Sequence, residues 1–192
     1  MAPHIAIHEG GLEVEIDKRD FGQPVTEGGE TFTDVNPKGY VPALRMDDGS
    51  VLTECVAILQ YLAEKSGNGL SPTYGSLERH RHQEWLTYIT TELHKGIVPL
   101  LNPTIGAVEQ ANVSDLLTNR IEFIDAHLSE NNYLMGDGFT GADGYAFTVL
   151  GWTKMAQFDL SGFPNVRAYL DRVGARPAVQ KTMRAEGLLE SA

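Results

Sequence analysis

Apolar residues recur along this chain at two different periods, and the change of period divides it. Leu12-Glu13-Val14-Glu15-Ile16-Asp17 alternates apolar and acidic positions, the period-two pattern of a half-buried strand. A short helix is predicted before it over residues 3–9. Pro3 is tolerated in its first turn and Gly10-Gly11 stops it. After a polar, glycine-bearing stretch, Val41-Pro42-Ala43-Leu44-Arg45-Met46 predicts a second strand. Asp48-Gly49 is the strongest local hairpin signal, and Val51-Leu52-Thr53 returns as a third strand. A helix over residues 54–65 then places Val56, Ile58, Leu59 and Leu62 on the core side.

Gly67-Asn68-Gly69 and Ser71-Pro72-Thr73 punctuate the chain as a linker over residues 67–76. Beyond it every apolar pattern is helical. Leu86, Ile89, Leu93, Ile97 and Leu100 step by threes and fours through a helix predicted over residues 76–101. Val113, Leu117, Ile121, Ile124 and Leu128 do the same over residues 113–129. Residues 140–156 are apolar on most sides, as a buried helix would be, and two shorter helices over 164–173 and 177–185 each open with a proline. The pattern is α+β: a mixed unit over residues 1–66 and an all-α bundle over residues 77–192.

Composition narrows the function. With 42% hydrophobic and 21% charged residues the chain reads as an ordinary globular protein. No apolar run approaches the roughly 20 residues that span a bilayer. Acids outnumber bases 26 to 15, a net charge of −11, which argues against nucleic acid and an anionic membrane surface as partners. The single cysteine, Cys55, allows neither an internal disulfide nor a multi-cysteine metal site. That fits a reducing compartment, and the default expectation is the cytoplasm.

The chemistry concentrates in Asn36-Pro37-Lys38-Gly39-Tyr40-Val41-Pro42-Ala43-Leu44, followed by Asp48-Gly49 and Thr53-Glu54-Cys55. A proline at the start of a strand belongs at an edge or bend. If Val41-Pro42 is cis, the Val41 amide and carbonyl are left open to an extended peptide. Glu54 and Cys55 open a helix, where free amides and the dipole favour a carboxylate. Together these describe a seat for a short, extended, anionic peptide. An ordinary β-hairpin running into a helix would read the same way, and the residues alone leave both open.

Three smaller motifs follow. Thr140 and Asp143 have the spacing of a capping box with Asp in place of Glu, a folding device. In Thr91-Glu92-Leu93-His94-Lys95-Gly96, Thr87, Thr91 and His94 are expected on one helix face beside the apolar stripe. His4 and His8 have the four-residue spacing of a metal grip, but no third ligand is evident, so no metal is expected. Tyr145 and Trp152 read as core or pocket wall. The helix N-terminus could lower the Cys55 thiol pKa, although the expected place of Cys55 argues against a catalytic role.

The run from Asn36 to Ile58 resembles the glutathione-binding segment of the thioredoxin-like domain of cytosolic glutathione transferases, and the whole chain is similar to the bacterial beta-like class. The resemblance implies a thioredoxin-like domain followed by an all-α domain, usually as a homodimer. It implies that Val41, before cis Pro42, pairs with the cysteinyl backbone of glutathione. It assigns Glu54 and Cys55 to the γ-glutamyl end and Lys38 to the glycyl carboxylate. Cys55 stands where the family usually has serine, so a hydroxyl contact is lost while the amide survives. His94 and Lys95 are the implied candidates beside the glutathione thiol, and Trp152 a candidate pocket residue. Thr87 stands where those relatives often have asparagine.

In that family a strand and a loop carrying the Ser, Cys or Tyr that meets the thiol precede the helix matched here near Pro3. They would lie before Met1. Three explanations are open: a misassigned start (the one favoured), a naturally short chain, or a strand supplied by a partner. The expectation is a transferase joining glutathione to small electrophilic, apolar compounds, weak or inactive as this chain stands. A non-catalytic glutathione-fold binding or assembly protein, and a glutathione-dependent isomerase or reductase, are the alternatives.

Overall fold

The structure, a computed structural model, describes residues 1–20 and 22–189, so the last three residues of the expected all-α unit lie outside it. Helix α1 (Ala2–Gly10) buries Ala2, His4, Ile5, Ala6 and Ile7, and it packs on the helices Cys55–Ser66, Gly141–Leu150 and Pro177–Ala185. Gly11 ends it in the left-handed region at φ 61°, where a glycine carries no Cβ penalty.

The strand expected over residues 12–17 is not formed. Leu12 and Val14 are half-buried but Ile16 is half exposed, and the segment has no ladder partner among the described residues. Alternation provides a face for a strand, and only a neighbouring edge makes it one. A four-residue helix that the sequence pattern did not predict, α2 (Phe32–Val35), follows, with Phe32 buried under the Arg19 guanidinium.

The hairpin forms as predicted, though shorter. β1 (Ala43–Arg45) pairs antiparallel with β2 (Val51–Thr53), in the register Ala43 to Thr53, Leu44 to Leu52 and Arg45 to Val51. Asp48 closes the turn by accepting the Ser50 amide at 2.9 Å. Helix α3 (Cys55–Ser66) begins one residue later than predicted, because Glu54 has left helical geometry.

The helix predicted over residues 76–101 is interrupted. α4 (Leu77–Tyr88) starts at Ser76, whose hydroxyl accepts the Arg79 amide at 3.1 Å. The chain then widens into a π-helical segment over Ile89–His94, continues as α5 (Lys95–Ile97) and tightens into a 3₁₀ turn over Val98–Leu101. Thr87, Thr90 and Thr91 each donate their hydroxyl to the carbonyl four residues back, competing with the regular ladder. Pro99 brings no amide to continue it.

Helix α6 (Ala107–Leu128) starts six residues earlier than predicted, because residues 107–112 are all exposed and carry no apolar stripe. Helix α7 (Gly141–Leu150) is almost wholly buried and ends sooner than predicted, passing through a 3₁₀ turn (Gly151–Thr153) into a tight turn with Gln157 at φ 54°. Helices α8 (Pro164–Gly174) and α9 (Pro177–Ala185) complete the bundle. Ile5, Ile58 and Leu62 share one apolar core with Leu93, Ile121, Val149 and Val166, so the α+β unit and the helical bundle are welded rather than tethered.

Candidate functional site

The loop before β1 is held from inside. Asn36 is buried, donates Nδ2 to the Tyr40 carbonyl at 2.7 Å and accepts the Lys38 amide at 3.1 Å. Gly39, at φ 74°, lets the chain turn over it. Past this turn the Val41-Pro42 peptide is cis and Val41 is 59% exposed. No hydrogen bond among the described residues uses the Val41 amide or carbonyl. Val41 stands two residues before β1.

Lys38 and Glu54, which the resemblance placed at opposite ends of a peptide, meet each other. Lys38 Nζ donates to Glu54 Oε1 at 2.5 Å and to Thr53 Oγ1 at 3.0 Å. The Glu54 hydrogen bond raises the Lys38 pKa above its ordinary value. Both side chains are about half exposed, so the pair is a weak, screenable latch.

Glu54 itself sits at φ 71°, ψ 121°, a region that a residue with a Cβ enters at a cost of about 1–3 kcal/mol. No side chain caps α3. Its first-turn amides, including that of Cys55, therefore point out beside the Glu54 carboxylate with only the helix geometry behind them. Cys55 does not behave as its helix-terminal place alone suggests. Burial pushes its thiol up to about 12, overriding the dipole, so it stays protonated near neutral pH.

The second group of candidates lies on the bundle. His94 Nδ1 lies 2.9 Å from the Tyr145 hydroxyl, and its ring meets Trp152 edge-on at 4.8 Å. Burial, then the neighbouring Lys95 charge, lowers the His94 pKa. Burial pushes the Tyr145 phenol up to about 12, with smaller effects from Cys55 and Glu54 in the same direction. The two candidate regions are thus within electrostatic reach of each other. Tyr145, read from sequence only as core or pocket wall, is the group that meets His94 and is affected by Cys55 and Glu54.

Lys95 leaves this face. With Thr91, Pro99, Leu116 and Arg120 it lines a crevice of about 200 Å³ against α6. Successive helical residues point about 100° apart, so His94 and Lys95 serve different surfaces. The face expected to unite Thr91 with His94 is likewise divided.

At the start of α7 the Thr140–Asp143 capping box is formed. Asp143 Oδ2 accepts from the Thr140 amide at 2.8 Å and hydroxyl at 2.9 Å. Its Oδ1 accepts from the Leu134 amide at 2.8 Å and the Tyr169 hydroxyl at 3.1 Å. Burial raises the carboxyl pKa while these bonds oppose it. His4 and His8 are already engaged, His4 with Glu186 at 3.1 Å and His8 with Thr182 at 3.0 Å. No group of three metal-ligating side chains occurs among the described residues.

Residues 2–65 match the family of glutathione S-transferase N-terminal domains, and residues 88–177 that of the C-terminal domains. The chain is 39% identical over 189 residues to the glutathione S-transferase GstA of Escherichia coli O157:H7, covering 98% of this chain and 94% of that one. Its fold superposes on a glutathione transferase crystal structure from Methylococcus capsulatus with a TM-score of 0.94 at 47% identity, covering 98% of this chain and 94% of the other. A sphingomonad glutathione S-transferase complexed with glutathione gives 0.92 at 39% identity over the same shares.

Proposed function

Since the chain belongs to the glutathione S-transferase family, we propose that it binds glutathione between Val41 and the start of α3 and transfers it to small electrophilic, apolar compounds. The observation that carries this is the uncapped α3 start. Glu54 is held at positive φ beside free first-turn amides, and the pairing of Ala43 with Thr53 brings the exposed Val41, with its unbonded peptide groups, to the same end of the hairpin. An extended γ-glutamyl peptide has an ammonium for Glu54, a carboxylate for the amides and a backbone for Val41. Lys38 is the cation for the glycyl carboxylate, and glutathione must loosen its bond to Glu54 to use both groups. Cys55 contributes its amide rather than its thiol.

Catalysis of this kind is thiolate stabilisation, since the thiolate is the nucleophile and a donor at sulfur favours it. Within this chain that work falls to His94, with Trp152 walling the acceptor side. Lys95 acts on it only through its charge, because its side chain serves another surface. The homodimer and the cytoplasmic location belong to the same proposal, and sedimentation velocity checks the first.

The test is a calorimetric glutathione titration of the chain and of Glu54→Gln. Binding by the first, weakened about tenfold or more in the second as a lost charged hydrogen bond requires, supports the reading. No binding by the unaltered chain would remove glutathione from the site.

A further inference from the structure

The mechanism proposed for His94 needs a nitrogen that carries a proton and faces outward. A neutral imidazole has two tautomers, and only one of its nitrogens then donates. The hydrogen bond made by the other nitrogen fixes which one. Here the partner of Nδ1 is the Tyr145 hydroxyl at 2.9 Å. Tyr145 comes from α7, whose helix is among the most buried, and is itself 3% exposed.

From this contact we propose that Tyr145 is a positioning residue, donating to His94 Nδ1 so that the ring holds its proton on Nε2, turned to the glutathione sulfur. The proposal rests on the glutathione reading above. Besides Nδ1 the phenol meets the Thr90 hydroxyl, whose own proton goes to the Leu86 carbonyl at 2.8 Å, and the imidazole nitrogen at 2.9 Å is the stronger acceptor for the phenol's proton. A buried phenol, its pKa pushed up to about 12, does not surrender that proton near neutrality. Burial and Lys95 keep the ring neutral, which leaves Nδ1 free to accept. His94 Nε2 has no hydrogen-bond partner among the described residues, yet it is not among their buried unpartnered polar atoms, so an incoming group can reach it. Trp152, edge-on at 4.8 Å, limits the swing of the ring.

This makes the tautomer of one histidine depend on a hydroxyl 51 positions away in sequence. The electrostatic consequence is specific. A Nδ1–H tautomer would present a lone pair to the sulfur and favour the thiol. The Nε2–H tautomer presents a donor and favours the thiolate.

The test is nitrogen NMR of the His94 ring in the whole chain, unaltered and as Tyr145→Phe, with the pKa of bound glutathione's thiol followed in both and in His94→Gln. Tyr145→Phe removes one oxygen and keeps the ring that packs, and its melting curve checks the fold. The expected result is a pure Nε2–H signal in the unaltered chain and a tautomer mixture in Tyr145→Phe. Bound thiolate at fixed pH then falls about tenfold, the worth of one ordinary hydrogen bond. A Nδ1–H signal in the unaltered chain, or an unchanged tautomer in Tyr145→Phe, overturns the positioning role. A tautomer that responds while bound thiol titrates alike in all three proteins overturns the role of His94 at sulfur instead, which separates the two failures.

Discussion

Two helices of this molecule begin beside a carboxylate, and they use it in opposite ways. At α7 the acid is Asp143, fully buried, and four protein donors converge on its two oxygens. At α3 the acid is Glu54, over half exposed, held at φ 71° with one lysine for company and no cap on the helix it precedes. The first arrangement leaves nothing for a ligand. The second leaves a charge and a set of amides unsatisfied by the fold. A helix start completed from within is structure, and one left open at a backbone cost is where function is to be sought.

Breaking the closed start should have the largest effect. Asp143→Ala strands the Leu134 and Thr140 amides and the Tyr169 hydroxyl in the core. Each buried orphan costs about 1–3 kcal/mol, so a loss of about 3 kcal/mol or more is expected by urea denaturation. A loss below about 1 kcal/mol would mean that water replaces the carboxylate, and the α7 start would then be less closed than its geometry says.

The next effect lies just outside α7. His82 is buried against its start, with Ser71 Oγ at 3.2 Å from Nδ1 and Nε2 unpartnered. Burial and the adjacent Arg79, itself paired with Glu64, lower its pKa to about 4. A base depressed in the fold binds its proton more readily when unfolded. Stability is therefore whole above the unfolded value of about 6.5 and is lost as pH falls toward 4. The loss should be on the order of 3 kcal/mol by that linkage. Melting the unaltered chain and His82→Gln across this range isolates the contribution, and parallel curves would refute it.

How much of this contrast was legible from sequence follows from which interactions are local. The α7 start was, because a capping box depends on residues three apart, and the α3 start was to within one residue, because the apolar stripe of its helix begins just after Glu54. The hairpin was, because Asp48-Gly49 dictates its own turn. The strand read over residues 12–17 failed because pairing is not local, and the alternation of Leu12 and Val14 describes only one side of it. The π segment at Ile89–His94 was hidden because an apolar stripe stepping by three and four reads alike with or without one widened turn. The ordinary step of about 100° between successive helical residues divides His94 from Lys95, which the resemblance had paired. Tyr145 was hidden by its surroundings, since one tyrosine in an apolar helix carries no sign of which histidine its hydroxyl will meet. The bond of Lys38 to Glu54 needed the hairpin to bring the two residues face to face.

A smaller effect should come from closing the open start. Glu54→Gly gives φ 71° to the residue that accepts it freely, which should stabilise the fold by about 1 kcal/mol after the added chain entropy is discounted. The same change removes the carboxylate, so glutathione affinity should fall about tenfold or more. Opposite signs in the melting and the titration would identify Glu54 as a residue kept for binding against the interest of the fold. Loss of both together would make it an ordinary structural group.

The smallest expected change is also the finest probe of the seat. Cys55→Ser alters one atom at the first residue of α3, and the amide stays where it was. The thiol, with its pKa pushed up to about 12, offers neither a thiolate nor a strong donor. A serine hydroxyl aimed at the bound carboxylate would add one hydrogen bond and tighten glutathione about fivefold. A hydroxyl turned into the core would instead lose stability by a similar factor and leave affinity unchanged. Calorimetry and melting of the one variant therefore report which way residue 55 points. They also decide whether the open start of α3 is open to its ligand at the side chain or at the backbone alone.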